Sequence, residues 1–352
     1  EGWEDTYQSW LHDAAIKVEV NDDVENALES GAQLLARWAD AKDSKLSAAD
    51  KKVLRDAAKT MENKSLSAEE RLAAVQSSDI EQLHETNPLR DGLSESNPQR
   101  FRVERPKSSF ASWYQFFPRS EGAYYGEDGK IVPGNLKTSI AGLERAAAEG
   151  FNIVYLPPIF PIGVTNRKGR NNSLVAGPND PGSPFGIGSE LGGHDTVDPQ
   201  LGTMDDFKAF CERAHELGLE IALDFALQCS PDHPWVKAHP NWFRTKPDGT
   251  IAFAENPPKK YQDIYPIDFN ADMEGIEKEV ERIMDLWVKA GVTIFRVDNP
   301  HTKPVRFWQD VIAVVTKKHP EVLFLAEAFT RPGMMRALSY VGFTQSHCYF
   351  PW

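Results

Sequence analysis

Three joints in the second half of the chain constrain its fold more than any other feature. They read Ala148-Glu149-Gly150-Phe151-Asn152-Ile153-Val154, Glu216-Leu217-Gly218-Leu219-Glu220-Ile221-Ala222 and Lys289-Ala290-Gly291-Val292-Thr293-Ile294-Phe295. In each, a helical pattern stops at a glycine, the residue that takes the left-handed conformation closing a helix. A strand-like apolar run then begins almost at once. The segments after those runs are far longer and more polar. Short helix-to-strand and long strand-to-helix connections are the pattern of a parallel β/α barrel with its site on the C-terminal face. An open doubly wound sheet is the alternative.

Six buried-strand runs can be counted: Ser112–Phe117, Ile153–Leu156, Glu220–Ala226, Thr293–Val297, Leu323–Ala326 and His347–Phe350. The expected class is α/β, a TIM-type (β/α)8 barrel cut short after about six strands, over residues 106–352. Such a barrel takes about 250 residues, so a chain of 352 has room for a second unit. Residues 1–20 carry Trp3, Tyr7, Trp10 and the alternation Ile16-Lys17-Val18-Glu19-Val20. They read as the end of an N-terminal β-sandwich-like domain. Residues 21–84 turn to helical spacing, as in Val24, Leu28, Leu34, Leu35 and Trp38, and predict a small helical domain of three amphipathic helices. Residues 85–105, rich in Pro, Asn, Ser and Arg without periodicity, read as a linker.

Composition matters mainly for what it excludes. The net charge of −13 repels nucleic acid and anionic membranes at long range, and no apolar run is long enough to span a bilayer. A cytoplasmic enzyme fits, with any anionic ligand held by a local basic pocket. Cys211, Cys229 and Cys348 have no metal-ligand or disulfide spacing and read as structural thiols. No metal or other cofactor is implied, and Gly-Lys-Ser/Thr phosphate loops are absent.

Acidic residues at the ends of buried parallel strands need a reason. Asp224 closes Ile221-Ala222-Leu223, Asp298 closes Ile294-Phe295-Arg296-Val297, and Glu327 closes Leu323-Phe324-Leu325-Ala326. Arg296 and Asp298 are two apart on a strand and project to one side, where the guanidinium favours an ionised carboxylate. That is what a nucleophile requires. Glu327 follows an apolar run with no adjacent cation, an environment that keeps a proton on it. The pair fits retaining glycosidic chemistry, in which the two carboxyls lie about 5–5.5 Å apart. The bland alternative is a set of loop caps and rim ion pairs.

Phe295-Arg296-Val297-Asp298-Asn299-Pro300-His301-Thr302-Lys303-Pro304 and Leu325-Ala326-Glu327-Ala328-Phe329-Thr330-Arg331-Pro332 resemble the nucleophile and acid/base motifs of the α-amylase superfamily, glycoside hydrolase family 13. Glu255-Asn256-Pro257-Pro258-Lys259-Lys260-Tyr261-Gln262-Asp263 and Asn166-Arg167-Lys168-Gly169 resemble, more narrowly, the bacterial α-1,4-glucan:maltose-1-phosphate maltosyltransferases. The resemblance covers about Phe101 to Trp352, and the leading helices look like the helical domain that family places beside its barrel.

The resemblance implies Asp298 as nucleophile and Glu327 as acid/base, supported by Arg296 and Asp224. It implies Lys259, Tyr261 and Asn299 around the phosphate of an α-maltose 1-phosphate donor, and Lys168, Gln228 and Asn256 against its glucosyl units. It also implies an α-1,4-glucan acceptor and a homodimer. His194 and Asp195 would occupy a substrate-contacting loop, while His233, His239 and His319 have no converging partners in the sequence. Two departures stand out. After Asp224 comes Phe225-Ala226-Leu227-Gln228-Cys229 where amylases carry Asn-His, and the family's third carboxylate has no counterpart before Trp352. A hydrolase of α-1,4-glucans and a non-catalytic glucan-binding subunit remain the alternatives.

Overall fold

The computed structural model describes residues 1–41, 45–98 and 103–347 and divides into two compact units, Glu1–Arg102 and Val103–Trp352.

The first unit is built from α1 (Thr6–Val20), α2 (Val24–Ala39), α3 (Ala48–Glu62), α4 (Ala68–Ala73) and α5 (Ser78–Thr86). The expectation of a β segment over residues 1–20 is corrected here. Asp5 caps α1 by accepting from the Gln8 N–H, and Tyr7, Ala14 and Val18 are its buried positions. Their helical spacing overrides the period-two pattern, whose Ile16 and Val20 stand exposed. Trp38 is fully buried and its indole N–H donates to the Asn87 carbonyl at 2.8 Å. The expected linker is also partly ordered: Asp91–Ser94 pairs antiparallel with Gly2–Glu4, and Arg37 holds Asp91 through two bonds of 2.7 Å.

The second unit carries a parallel sheet of β1 (Trp113–Gln115), β2 (Ile153–Leu156), β3 (Glu220–Phe225), β4 (Ile294–Asp298), β5 (Leu323–Glu327) and β6 (Gln345–Ser346). Its spatial order is the chain order. A doubly wound sheet reverses direction at a switch point; a sequential one keeps its helices on one face and curls into a barrel. The last strand sits earlier than the expected 347–350, of which residues 348–350 lie outside the described residues.

The helices preceding four of these strands are α6 (Ile140–Ala148), α7 (Met204–Glu216), α8 (Met273–Lys289) and α10 (Pro332–Tyr340), with α9 (Val305–Lys318) between β4 and β5. Gly150, Gly218 and Gly291 all have positive φ. At each joint the glycine N–H and the next N–H fold back onto the helix, as in Gly218 to His215 and Leu219 to Ala214. This double bond is the Schellman closure. Gly342 does the same after α10, with Phe343 donating to Leu338. An alanine Cβ at Gly291 would sit 2.6 Å from the Cys211 Cβ, whereas at Gly218 it meets open space. Gly218→Ala is expected to cost about 1–2 kcal/mol for the left-handed backbone alone, and Gly291→Ala measurably more, read as the shift in urea midpoint.

Strand alternation sorts the side chains. Val154, Leu156, Ile221, Leu223, Phe225, Phe295, Val297 and Phe324 join the large core beneath the helices. Ile153, Tyr155, Ala222, Ile294 and Leu323 form a separate inner cluster. Both faces of the sheet are buried, as a barrel requires.

Candidate active site

The inner face reads as layers. Ile153, Ala222, Ile294 and Leu323 fill the N-terminal end, two residues on come Tyr155, Asp224, Arg296 and Leu325, and at the C-terminal end stand Asp298 and Glu327. Strand register enforces this: Arg296 lies opposite Asp224 on β3 and Leu325 on β5, and Asp298 lies opposite Glu327. Side chains two apart share a face, so the apolar strands deliver all four charged groups to one spot.

Arg296 organises them. Its Nη1 donates to Asp224 Oδ2 at 2.8 Å and to Asp298 Oδ1 at 3.0 Å, and its Nη2 pairs with Glu327 Oε1. The expectation that Glu327 has no adjacent cation is therefore corrected, because in-register strands bring the same guanidinium within reach of both acids. Tyr155, whose place on the inner face follows from its spacing to Ile153, donates its hydroxyl to Asp224 and lies under the guanidinium, 5.5 Å from ring centroid to charge.

One guanidinium divided among three carboxyls cannot hold all of them ionised. Complete burial pushes Asp224 up to about 8, and the pull of Arg296 only partly offsets it. Burial also pushes Asp298 upward, but a hydrogen bond with Glu327 and then the charges of Lys303 and Arg296 outweigh it, so Asp298 ends below its ordinary range. A hydrogen bond between two carboxyls needs a proton in it. With Asp298 favoured as the anion, that proton belongs to Glu327. Asp298 is thus the carboxyl that the site favours as an anion.

The turn after β4 completes the cluster. Asn299 adopts the left-handed conformation, φ 45°, which asparagine tolerates, and its amide donates to Asp298 Oδ2 at 3.1 Å. Lys303, given no role in the sequence reading, donates to the carbonyls of Asp298 and Asn299 at 3.1 and 3.2 Å. As a residue Lys303 is only half-buried, but its ammonium end sits among the carboxyls, and burial lowers it to about 8 against their pull. Its signal was its position in the same short turn as Asn299.

Of the other expected ligand-binding residues, Lys168 is tied to the motif that carries Asn256, Lys259 and Tyr261. Lys168, buried, donates to Gln262 Oε1 at 2.7 Å, and Asn166 donates to the Gln262 carbonyl at 3.3 Å. The two narrow motifs thus interlock. Asn256, Lys259 and Tyr261 lie on a hairpin pairing Ala254–Asn256 with Lys259–Tyr261. Asn256 opposes Lys259 and Ala254 opposes Tyr261, so these project from one face while Glu255 and Lys260 project from the other. The Lys259-Lys260 pair is split between two faces. Gln228 donates to the Phe185 carbonyl at 3.1 Å.

The match to known proteins follows the same lines. Residues 1–105 match the family model described as alpha-1,4-glucan:maltose-1-phosphate maltosyltransferase, domain N/S. The whole chain is 82% identical to the alpha-1,4-glucan:maltose-1-phosphate maltosyltransferase of Bifidobacterium longum, covering 100% of this chain and 47% of that protein. It is 77% identical to the enzyme of that name from Bifidobacterium animalis subsp. lactis, covering 100% and 48%. Over its whole length the chain is similar to members of this family. It spans about half the length of the curated relatives it matches. An alpha-amylase from Lactobacillus plantarum shares the barrel, at 30% identity and TM-score 0.51 over 66% of this chain and 48% of that one.

Histidines expected to lack converging partners do have them. His194 is buried, its Nδ1 is 3.1 Å from His233 Nε2, and its Nε2 is 2.9 Å from the Ala226 carbonyl. Asp195 pairs with Arg282 at 2.7 Å. His233 accepts on Nδ1 from the Trp235 N–H at 3.0 Å. Its proton is then on Nε2 and is given to His194, which donates to Ala226. Burial keeps both rings neutral by lowering His194 to about 4 and His233 further. Cys229 joins them in a cluster with ligand-capable atoms within 4.8 Å, a proximity that sequence spacing did not reveal. Every imidazole nitrogen there is already engaged, which fits packing behind β3 better than an ion site. His239 stacks on Trp242 and His319 bonds Asp285 at 2.8 Å. Cys211 and Cys229 are buried free thiols, and Cys348 lies outside the described residues. Among the described residues, no helix is long and apolar enough to cross a membrane.

Proposed function

We propose that this chain carries the reacting carboxylates of a retaining transferase that moves a maltosyl unit from α-maltose 1-phosphate to the non-reducing end of an α-1,4-glucan. The observation that carries the reading is the in-register pair Asp298 and Glu327, bridged by Arg296. Adjacent strands are about 4.8 Å apart, which favours the retaining spacing over the 6.5–9.5 Å that an inverting enzyme needs to admit water.

In the first half-reaction Asp298 attacks the anomeric carbon and the bond to phosphate oxygen breaks, with Glu327 lending its proton to the departing group. The product is a β-maltosyl ester on Asp298. In the second, the 4-hydroxyl of the acceptor attacks, Glu327 takes its proton, and the ester bond breaks. Two inversions retain the α configuration. Lys259, Tyr261 and Asn299 would hold the phosphate, and Lys168, Gln228 and Asn256 the two glucosyl rings. The amides of Gln228 and Asn256 and the Lys168 ammonium can hydrogen-bond sugar hydroxyls, while the Lys259 ammonium, the Tyr261 hydroxyl and the Asn299 amide are donors suited to the dianion.

The test is incubation with maltose 1-phosphate and a maltooligosaccharide. Phosphate release with products longer by two glucosyl units supports transfer, while shortened products without phosphate mean hydrolysis. Lys303 offers a second check. Its charge favours ionised Asp298, so in Lys303→Met the acid limb of kcat/KM should move to higher pH. Misplacement of the turn should add a roughly 10- to 100-fold loss at the optimum.

A further inference from the structure

The stretch between β2 and α7 that carries Lys168 has little to hold it by burial. Among residues 163–169 only Gly163 and Lys168 are buried, and Val164 is 68% exposed. A segment without apolar anchors keeps one shape through its polar bonds. Arg167 ties this one to its own start, donating to the carbonyls of Gly163 and Ile162 at 2.7 and 2.8 Å. Two side chains from the connection after β3 grip it from outside. Gln262 accepts from Lys168 at 2.7 Å. Asp232 takes three bonds: its Oδ2 accepts from the N–H groups of Val164 and Thr165 at 2.6 and 2.7 Å, and its Oδ1 from the Thr165 hydroxyl at 2.6 Å.

Asp232 itself stands on a fixed base. Its N–H donates to Ser230 Oγ at 3.1 Å, the Ser230 N–H donates to the Ile187 carbonyl at 2.6 Å, and His233 beside it is buried against His194. Gln228 lies four residues earlier in the same run, whose start pairs with Tyr265–Pro266. The carboxylate therefore refers the position of Lys168 to that of Gln228. Burial pushes the Asp232 carboxyl up, but the hydroxyl and N–H of Thr165, the N–H of Val164 and the charge of Arg167 outweigh it and leave it below its ordinary value. It stays an anion, and hydrogen bonds to an anion are about twice as strong as neutral ones.

We propose that Asp232 is a positioning residue for the donor: its carboxylate clamps Val164 and Thr165 so that Lys168 is preset beside the glucosyl units it would hold with Gln228. This rests on the donor-binding roles given above to Lys168 and Gln228, and adds to them the group that sets the distance between the two. Without the clamp the loop samples other shapes, and donor affinity falls with the fraction of time it spends in the right one.

Maltose 1-phosphate binding is measured by calorimetry in an Asp298→Asn background, where turnover does not consume the ligand. Adding Asp232→Ala should weaken it roughly 10- to 100-fold. Asp232→Asn should restore most of the loss, because its carbonyl oxygen accepts both N–H groups and its amide can donate to the Thr165 oxygen. In the reacting enzyme Asp232→Ala should raise the donor KM by the same factor, with kcat and the acceptor KM unchanged. The deciding background is Lys168→Met, in which adding Asp232→Ala should weaken donor binding by less than about twofold. A full loss in both backgrounds, or donor affinity unaltered by Asp232→Ala, overturns the proposal. A Lys168→Met variant that binds donor as tightly as its parent overturns instead the donor role of Lys168. The clamp is then read from deuterium uptake by residues 163–169, which should quicken at least about tenfold in Asp232→Ala, and unchanged uptake removes the clamp as well.

Discussion

Asp298→Asn is expected to lower phosphate release from maltose 1-phosphate by at least about 10⁴-fold, the scale of losing a nucleophile that works as part of a unit. The asparagine oxygen can still accept from Arg296 Nη1, which now reaches Asp298 at 3.0 Å, so the fold and donor binding should persist. Glu327→Gln should behave differently in kind. Phosphate is a good leaving group and needs little protonation, whereas the acceptor hydroxyl must lose its proton to attack. Loss of the acid/base is therefore expected to slow the second half-reaction more than the first, by about 10²–10⁴-fold. Intact mass spectrometry of Glu327→Gln after exposure to donor should show a population heavier by one maltosyl residue, with the label on Asp298. A label on another carboxylate, or phosphate release by Asp298→Asn near the wild-type rate, would end the double-displacement account.

Much of this was legible in the chain because the signals were local. A glycine two residues past a helix end and a strand immediately after it form one contiguous pattern, and three of the four Schellman joints were read from it. The fourth, Ser339-Tyr340-Val341-Gly342-Phe343, has the same hydrogen bonds but is followed by a two-residue strand. Two residues are too short a run to mark a strand in a sequence, and residues 348–350 of the expected run lie outside the described residues. Residues 16–20 erred for a related reason. Five residues of alternation satisfy a strand locally, and only the spacing from Tyr7 through Ala14 to Val18, over a longer window, reveals the buried stripe of a helix.

The site divided in the same way. Strand-end acids and the Arg296/Asp298 spacing are properties of single strands and were visible. The contact of Arg296 with Glu327, the hydroxyl of Tyr155 on Asp224, and the His194–His233 pair depend on register between strands and on loops 39 residues apart. A single sequence carries no local mark of such pairings. Tyr155 came closest, as a polar-tipped residue at an inward position, but it had no adjacent charge to flag it.

Arg296→Met should be the most costly single change to stability. The side chain is buried and its guanidinium contacts Asp224, Asp298 and Glu327 together. Breaking a buried ion pair by removing one partner typically costs about 3–5 kcal/mol, because the charge left behind is uncompensated. The acids can escape that cost by taking up protons, so the loss should depend on pH, and its sign can be worked out. Even with Arg296 present, burial raises Asp224 to about 8 from an ordinary 3.8. A carboxyl raised in the folded state stabilises that state fully below its unfolded value and loses the contribution as pH climbs through the folded one. Removing the cation raises the folded-state value of each carboxyl it touched, so the deficit of Arg296→Met relative to wild type should be small near pH 4 and grow toward pH 8. Urea unfolding of both proteins across that range measures it. A deficit that stayed constant with pH would mean the three carboxyls do not share Arg296 as a common counter-ion, and with that would go the reason for Asp298 being charged while Glu327 keeps its proton.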